Sequence, residues 1–342
     1  MSRESDFRPA WWCANAHAQT VWGPLFRRPR PPLARERVAT PDGDFVDLDW
    51  VRGRSAPGAP VVLVLHGLEG SALSHYAGAM LADAAARGWR GVALNFRSCS
   101  GEPNHLPRFY HSGDTADLDH VVRTLAAREP EIRVGAVGVS LGGNVLLKWL
   151  GECGDETPAP LVGAVGISVP FDLAACARTL DRGLRRRVYT ANFMRTLRRK
   201  VREKAQRYPG FVDVAAACRA RTFAEYDRAV TAPLGGFTDE MDYWTRSSSG
   251  PYLARIRRPT LLVNARDDPF VPPASLPDPR ALPPLVRARF TAAGGHVGFM
   301  EGRWPWRARS WAERIALDFL GACFTGAVAP TRDAPAQPAE VE

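Results

Sequence analysis

The sequence predicts an α/β fold in which a mostly parallel, doubly wound sheet is covered by helices on both faces. Short apolar runs, such as residues 61–65, alternate along the chain with stretches of helical spacing, and this alternation is typical of a parallel sheet. The runs are continuously apolar, as expected of strands buried on both faces. A Pro-Asp-Gly turn at residues 41–43 joins two short alternating runs, which predicts an antiparallel hairpin at one edge.

The elements that follow the hairpin alternate regularly between strand and helix. The first helix should end at Gly88, and the second should begin at Asp114 or Thr115, either of which is a suitable N-cap. The predicted strands lie within residues 61–65, 91–96, 133–139, 161–170, 259–270 and 286–296, and the predicted helices within 71–89, 114–129, 142–152 and 310–324.

Three segments fall outside this alternation. Residues 1–35 are rich in Pro, Arg and Trp without a clear period, so we expect a lead-in that wraps the surface of the main domain at 36–325. A charged, helical insertion at about 172–249 separates two core strands and should form a cap over the carboxyl ends of the strands, where such sheets bind ligands. Residues 326–342 are rich in Pro and Ala and are predicted to be disordered.

Composition limits the class of protein. The chain has 342 residues, of which 45% are hydrophobic, and a formal net charge of +9. Its six cysteines are scattered without a C-x-x-C pair, so neither a zinc site nor a disulfide framework is indicated, and reduced thiols in a cytoplasmic protein are expected. The N-terminal residues form no apolar signal segment, and no apolar run approaches the roughly 18 residues of a membrane span.

The stretch GAVGVSLGG at residues 135–143 carries the most informative motif. It fits G-x-S-x-G with Gly138, Ser140 and Gly142, and it lies between a predicted buried strand and a predicted helix, as a nucleophile elbow requires. A dinucleotide-binding loop would need glycine at the position of Ser140 and an acidic residue about 20 residues on. An ordinary turn that happens to contain serine is the remaining alternative.

A serine hydroxyl needs a base, and the base needs an orienting carboxylate. His296 lies in the glycine-rich loop AAGGHVGF directly after a predicted strand, and we take it as the base. Asp267 and Asp268 both follow the fifth core strand. We prefer Asp268, because the prolines of DPFVP would stiffen its loop, and we expect Asp267 to bond to neighbouring N–H groups. The order Ser140, Asp268, His296 is that of α/β-hydrolases.

Acyl transfer also requires hydrogen-bond donors for an oxyanion. The main-chain N–H of Leu141 follows the nucleophile, and the N–H of Leu68 in the loop HGLEG is the second candidate. Gly67 would keep side-chain bulk away from a substrate carbonyl. His66 precedes this loop and could orient it, so both residues are candidates for substrate binding.

The loop NFRSCSGEPN leaves the second core strand on the same side of the sheet. Asn95 and Arg97 are therefore further candidates for substrate binding. Arg97 could bind a carboxylate or phosphate of a ligand, or it could pair with Glu102, and we favour the pairing. Cys99 is a poor candidate for a nucleophile, because no histidine motif accompanies it.

Several segments together resemble the YheT-like α/β-hydrolases, the bacterial relatives of the ABHD1/ABHD3-type enzymes. The resemblance covers residues 9–325 through HAQT, TPDGDFVDLDW, LHGLEGSALSHY, NFRSCSGEPN, GVSLGGN, SVPFDL, TAPLGGF, NARDDPF and GGHVGF. It implies a Ser-Asp-His hydrolase of ester or lipid-like substrates and maps onto Ser140, Asp268 and His296. One departure is Ser98, where the family pattern has glycine.

The predicted cap contains the basic stretch DRGLRRRVYTANFMRTLRRKVREKAQRYPG. Its apolar residues recur at helical spacing, at positions 184, 188, 189, 193, 194, 197 and 201. A cap helix with a solvated cationic face is the simpler interpretation, and docking to an anionic membrane surface is the alternative. Nucleic-acid binding is disfavoured, since the arginines lack interleaved aromatic positions and a recognisable reader fold.

These observations favour an enzyme that cleaves carboxylic esters, short-chain or lipid-like, through an acyl-enzyme. Such chemistry needs neither a metal nor an organic cofactor, and its partner is a small-molecule ester. A binding or adaptor protein that keeps the fold without turnover is the alternative from another class, and thioesterase, amidase or acyltransferase activity stays open. Dehalogenases and epoxide hydrolases require Asp at the elbow, so Ser140 disfavours them. The sequence leaves the oligomeric state open.

Overall fold

The computed structural model describes residues 7–53 and 55–328 and contains an eight-stranded sheet as its centre. The strands are ordered β1-β2-β4-β3-β5-β6-β7-β8 across the sheet. Their bounds are β1 Leu33–Ala39, β2 Phe45–Val51, β3 Val61–Leu65, β4 Arg90–Asn95, β5 Val134–Val139, β6 Leu161–Ile167, β7 Thr260–Ala265 and β8 Val286–Thr291. A separate two-stranded ribbon joins β9 Met300–Glu301 and β10 Arg309–Ser310.

The strand directions confirm the predicted architecture. β1 and β2 form the antiparallel hairpin, β2 runs antiparallel to β4, and all neighbouring pairs from β4 to β8 are parallel. The central strands β3 and β5 are buried along their whole length. Their carboxyl ends meet at one edge, so the loops that follow them lie together, and the turn after β5 holds the G-x-S-x-G serine.

Helices cover both faces of the sheet and create two apolar layers. Leu81 of one helix and Leu320 of another pack on the first face, and Leu118 and Leu146 pack on the second. The helices are α1 Ala16–Phe26, α2 His75–Ala86, α3 Ala116–Arg128, α4 Leu141–Cys153, α5 Leu173–Leu180, α6 Gly183–Arg185, α7 Ala191–Arg207, α8 Val214–Arg219, α9 Phe223–Tyr226, α10 Ala232–Gly235, α11 Glu240–Ser247 and α12 Trp311–Phe324.

Helices α5 to α11 occupy the predicted insertion and form a cap with an apolar cluster of its own. Two π-helical turns, Arg186–Thr190 and Asp227–Thr231, connect α6 to α7 and α9 to α10. Met194, Leu197 and Val201 of α7 are buried in this cluster, as the helical spacing predicts. Leu184 and Val188 of the same predicted stripe are instead exposed.

The N-terminal segment is more ordered than its irregular sequence suggests. It contains a 3₁₀ turn at Trp11–Cys13 and helix α1, whose first turn is capped by the side chain of Asn15. The sequence shows no apolar stripe here because α1 is anchored through a polar residue, Gln19, which is fully buried. At the other end, most of the predicted disordered tail, residues 329–342, lies outside the described residues.

Candidate active site

The turn between β5 and α4 places Ser140 at a sharp, strained elbow. Ser140 has φ 52° and ψ −120°, a conformation that L side chains rarely adopt. A Cβ at Gly138 would lie 2.4 Å from the carbonyl oxygen of Gly142, and a Cβ at Gly142 would lie 2.5 Å from the carbonyl oxygens of Leu65 and His66. The two glycines are therefore required because main-chain atoms pass directly against them.

Ser140, His296 and Asp268 form a continuous chain of hydrogen bonds. His296 Nε2 lies 2.9 Å from Ser140 Oγ, and His296 Nδ1 lies 2.8 Å from Asp268 Oδ2. The side chains of His296 and Asp268 are buried, and the ring of Phe270 stacks on the imidazole at a centroid distance of 4.1 Å. The arrangement allows the imidazole to accept the serine proton while the carboxylate fixes the ring.

The two aspartates after β7 have different surroundings. Asp268 Oδ1 accepts hydrogen bonds from the N–H groups of Phe270 and Val271, which leaves Oδ2 for His296. Asp267 Oδ1 accepts the N–H of Gly295, and burial raises the pKa of this carboxyl. Asp268 is thus the carboxylate that meets the imidazole, and Asp267 shapes the histidine loop.

The loop that carries His296 is held by residues the sequence reasoning did not single out. Thr20 Oγ1 accepts the main-chain N–H of His296, and Ser168 Oγ accepts the N–H of Val297, both at 2.9 Å. Gln19 Oε1 accepts the N–H of Met300. Gln19 and Thr20 belong to the HAQT segment, and Ser168 belongs to SVPFDL. These two segments also carry the family resemblance, so they could have indicated which residues hold the histidine loop.

The oxyanion candidates are main-chain groups beside Ser140. In the loop after β3, the N–H of Gly67 donates to Tyr76 Oη and that of Glu69 donates to Tyr110 Oη. The N–H of Leu68, between them, has no hydrogen-bond partner within the part of the chain that the structure describes. Leu141 is the first residue of α4, where main-chain N–H groups have no intrahelical acceptor.

A buried ion pair joins this loop to the cap. Lys200 Nζ of α7 lies 2.7 Å from Glu69 Oε1, and the same oxygen accepts the hydroxyl of Tyr110 at 3.1 Å. Glu69 has a φ of 56°, so the pair holds a strained residue next to Leu68. Lys200 also contacts Cys99 Sγ, and burial raises the pKa of that thiol to about 11, which disfavours a thiolate nucleophile.

Two cavities meet at Ser140 and His296. The first, of about 140 Å³, is lined by apolar cap residues. These include Leu173, Leu180, Leu197, Phe223, Val230 and Trp244. The second, of about 770 Å³, runs between α1, the loop after β3 and the start of α7. We call the first the cap cavity and the second the open cleft.

A second buried carboxyl group, besides that of Glu69, lines the cap cavity. Asp227, in the π-helical turn after α9, accepts hydrogen bonds from Thr231 Oγ1 at 2.6 Å and Trp244 Nε1 at 2.9 Å. No cationic side chain is ion-paired with it among the described residues. Burial raises the pKa of Asp227 to about 7.

Of the candidate substrate-binding residues, Gly67 lines the open cleft, and His66, Asn95 and Arg97 line neither of the two cavities. His66 is buried with Nδ1 on a neighbouring carbonyl and Nε2 accepting the N–H of Phe96, and burial lowers its pKa to about 4. Asn95 accepts the N–H of Ala72 and donates to Asp49. The side chains of His66 and Asn95 therefore bond to the neighbouring loops, and neither lines the cap cavity or the open cleft.

Arg97 is also structural, although its partner differs from the expected one. Its buried guanidinium donates to both oxygens of Asp117 at 2.7 and 2.6 Å and to Asp44 and Asp42. Glu102 pairs with a different arginine. The sequence could not indicate these partners, because Asp42 and Asp44 come from the hairpin turn and Asp117 from α3.

Ser98, the departure from the family pattern, occupies a backbone position that suits glycine. Its φ is 60°, in the left-handed region. Asn104 supports this conformation by accepting the N–H of Ser98 through its side-chain oxygen. The loop thus keeps its path with serine in place of glycine, and it lies outside both cavities.

The described residues contain neither a group of potential metal ligands nor a helix suited to cross a membrane. Within 7–53 and 55–328, no three His, Cys, Asp or Glu side chains are grouped so that they could hold a metal ion. In the same residues, no helix combines the length and the apolar character that crossing a bilayer requires.

Comparison with known proteins assigns this chain to a family. A family model described as "alpha/beta hydrolase fold" matches residues 60–303. The chain is 40% identical over 323 residues to "Putative esterase YheT" of Escherichia coli, covering 93% of this chain and 94% of that protein. It is 32% identical to "Phospholipase ABHD3" of Mus musculus, covering 92% and 78%.

A solved structure supports the fold independently. The esterase Pf2001 of Pyrococcus furiosus aligns with a TM-score of 0.51 at 18% identity, covering 85% of this chain and 92% of that one. Its low identity makes this a likeness of fold alone. The family match, the curated relatives and the strand order agree, and the chain belongs to the YheT-like group of the α/β-hydrolase family.

Proposed function

We propose that this α/β-hydrolase cleaves carboxylic esters that carry an apolar acyl chain, through an acyl-enzyme on Ser140. The observation that carries the proposal is the hydrogen-bonded chain from Ser140 through His296 to Asp268 at the junction of two cavities. The names of the two curated relatives, an esterase and a phospholipase, are consistent with it.

In the proposed acylation step, His296 Nε2 takes the hydroxyl proton as Ser140 Oγ attacks the ester carbonyl. The N–H groups of Leu68 and Leu141 stabilise the negative charge that develops on the carbonyl oxygen. When the tetrahedral intermediate collapses, His296 returns the proton to the departing alkoxide. Asp268 stabilises the transient imidazolium throughout.

Deacylation follows the same steps, with water in place of the serine hydroxyl as the nucleophile. His296 removes a proton from the water as its oxygen attacks the acyl-serine carbonyl, and the proton then passes to Ser140 Oγ, which leaves as the free hydroxyl. Apart from the ester and the water, the groups that act in both steps are side chains and main-chain amides of this chain.

The two cavities suggest where the acyl and alcohol portions of the ester bind. The acyl chain suits the cap cavity, whose lining is largely apolar and includes the carboxyl groups of Asp227 and Glu69. The alcohol portion suits the open cleft, from which it can leave after the first step. Each buried CH₂ contributes about 0.8 kcal/mol, so a cavity of limited depth should favour one range of acyl lengths.

The same chemistry can also cleave thioesters and amides, so the experiment must distinguish these substrates from esters. A fluorophosphonate probe should label the wild-type protein and not Ser140→Ala. Hydrolysis of p-nitrophenyl esters from acetyl to palmitoyl should then be compared with that of the matching thioesters and amides. Absence of labelling would instead favour a binding protein on the same fold. Labelling with faster thioester turnover would favour a thioesterase.

We further propose that the protein acts in a reducing compartment of the cell. All six cysteines are unpaired, which favours a reducing compartment such as the cytoplasm. Fractionation of cells that produce the protein at its natural level would test this assignment.

A further inference from the structure

Five large apolar side chains stand exposed around the mouth of the open cleft. Leu25, Leu73 and Val188 line the cleft itself, with 58%, 65% and 47% of their surface accessible. Phe26, the residue after Leu25, is 63% exposed although its ring packs on Trp22 at a centroid distance of 4.3 Å, and Leu184 precedes Val188 by one helical turn and is 65% exposed. We call these five residues the mouth patch. Clustered exposed apolar residues of this kind mark interaction sites.

Cationic side chains flank the mouth patch. Arg28 and Arg30 line the open cleft, and Arg185 and Arg187 lie between Leu184 and Val188 in the segment that joins α6 to α7. All four are exposed, and none forms an ion pair with a carboxylate of the described chain. Apolar side chains set among guanidinium groups that have no carboxylate partner are typical of surfaces that lie on anionic lipid.

We propose that the mouth patch docks the protein on an anionic lipid bilayer, with the open cleft facing the membrane. The apolar side chains would enter the acyl region, while the arginines would contact lipid headgroups. The cleft leads from this face to Ser140 and His296, so a lipid-like molecule could pass from the bilayer to the site without crossing water. The binding claim itself is independent of the proposed hydrolysis.

Charge decides between a membrane and a second copy of this chain. A symmetric dimer through this face would bring the same arginines together from both partners, and like charges at an interface oppose association. The chain has a formal net charge of +9, which adds further repulsion between copies and further attraction to an anionic bilayer.

Cosedimentation with lipid vesicles tests this proposal. The 342-residue chain should bind vesicles that contain both phosphatidylglycerol and phosphatidylcholine, and should bind vesicles of phosphatidylcholine alone at least tenfold more weakly. Two double variants change the face in different ways: Phe26→Ser with Leu184→Ser removes apolar surface, and Arg185→Gln with Arg187→Gln removes charge. None of these four residues lines either cavity. Each double variant should bind anionic vesicles about tenfold more weakly.

Matched controls separate this face from general basicity. Met241→Ser removes an exposed apolar residue from α11, and Arg289→Gln removes an exposed arginine from β8, both away from the cleft. Both should bind within about twofold of wild type, as should Ser140→Ala, which isolates docking from catalysis. Thermal melts confirm that each variant is folded.

Three results would overturn the proposal. Equal binding by the wild type and the apolar double variant would mean that charge alone attracts the vesicles. Equal losses in Arg289→Gln and the arginine double variant would mean that no particular face is used. A concentration-dependent dimer in sedimentation velocity that the Phe26→Ser, Leu184→Ser variant abolishes would assign the face to a second copy.

Discussion

The hydroxyl of Thr20 accepts the main-chain N–H of His296 at 2.9 Å, although 276 positions separate the two residues. This contact ties the N-terminal helix α1 to the loop that carries the proposed base. Gln19 strengthens the attachment, since its buried amide bonds to the main chain at Cys13 and Met300. The N-terminal segment is therefore part of the frame of the site.

Replacing Thr20 with valine should lower kcat by about tenfold. Valine keeps the shape of threonine but leaves the N–H of His296 without an acceptor, and an unsatisfied buried N–H costs about 1–3 kcal/mol. The imidazole would then lose its fixed distance to Ser140. Thr20→Ser retains the hydroxyl and should restore most of the activity. Equal rates for Thr20→Val and wild type in a steady-state ester assay would contradict the positioning role.

Gly142→Ala should abolish measurable activity and destabilise the protein by several kcal/mol. The added Cβ would lie 2.5 Å from two main-chain oxygens of the loop after β3, so either the elbow or the oxyanion loop must shift. Gly321→Ala on α12 is the matched control, because its Cβ would approach only the ring of Trp89, at 3.3 Å. Chemical denaturation and ester hydrolysis of both variants provide the comparison; a stable, active Gly142→Ala protein would be inconsistent with this geometry.

Lys200→Met should reduce kcat more than it raises KM. The change leaves the carboxylate of Glu69 without its cation and loosens the residue that adjoins Leu68, whose N–H serves the proposed oxyanion site. Lys200→Arg should recover part of the loss. Lys148→Met removes a similarly buried lysine whose partner, Glu152, is more exposed than Glu69, and both residues lie outside the two cavities. This change should affect stability while leaving kcat nearly unchanged. A similar fall in kcat for Lys200→Met and Lys148→Met would contradict a specific role of Lys200, because losing either ion pair would then have the same effect.

Asp227→Asn should change how stability depends on pH. Because burial raises the pKa of Asp227 from 3.8 to about 7, the folded state keeps a proton that the unfolded chain has lost. The free energy of unfolding should therefore fall as pH rises from about 4 to about 7. Asparagine does not titrate, so the stability of the variant relative to wild type should rise by on the order of 4 kcal/mol between pH 4 and pH 8. Parallel curves of melting temperature against pH for wild type and Asp227→Asn would contradict this prediction.

The sequence alone determined the elements whose causes are local. Continuous apolar runs identified the central strands, and the Pro-Asp-Gly turn identified the hairpin, because each pattern reflects the conformation or burial of a few adjacent residues. The glycines around Ser140 indicated the elbow in the same way, since the strained turn and the close main-chain contacts restrict those positions directly.

Tertiary structure decided which distant groups meet. The pairing of Arg97 with Asp117, the Glu69–Lys200 bridge across 131 positions and the Thr20–His296 contact all join segments with no shared periodicity. Helix α1 escaped the sequence reasoning because one buried glutamine anchors it in place of an apolar stripe. Such contacts depend on how whole helices and strands pack together. The residue pattern within one segment does not indicate which other segment will become its neighbour.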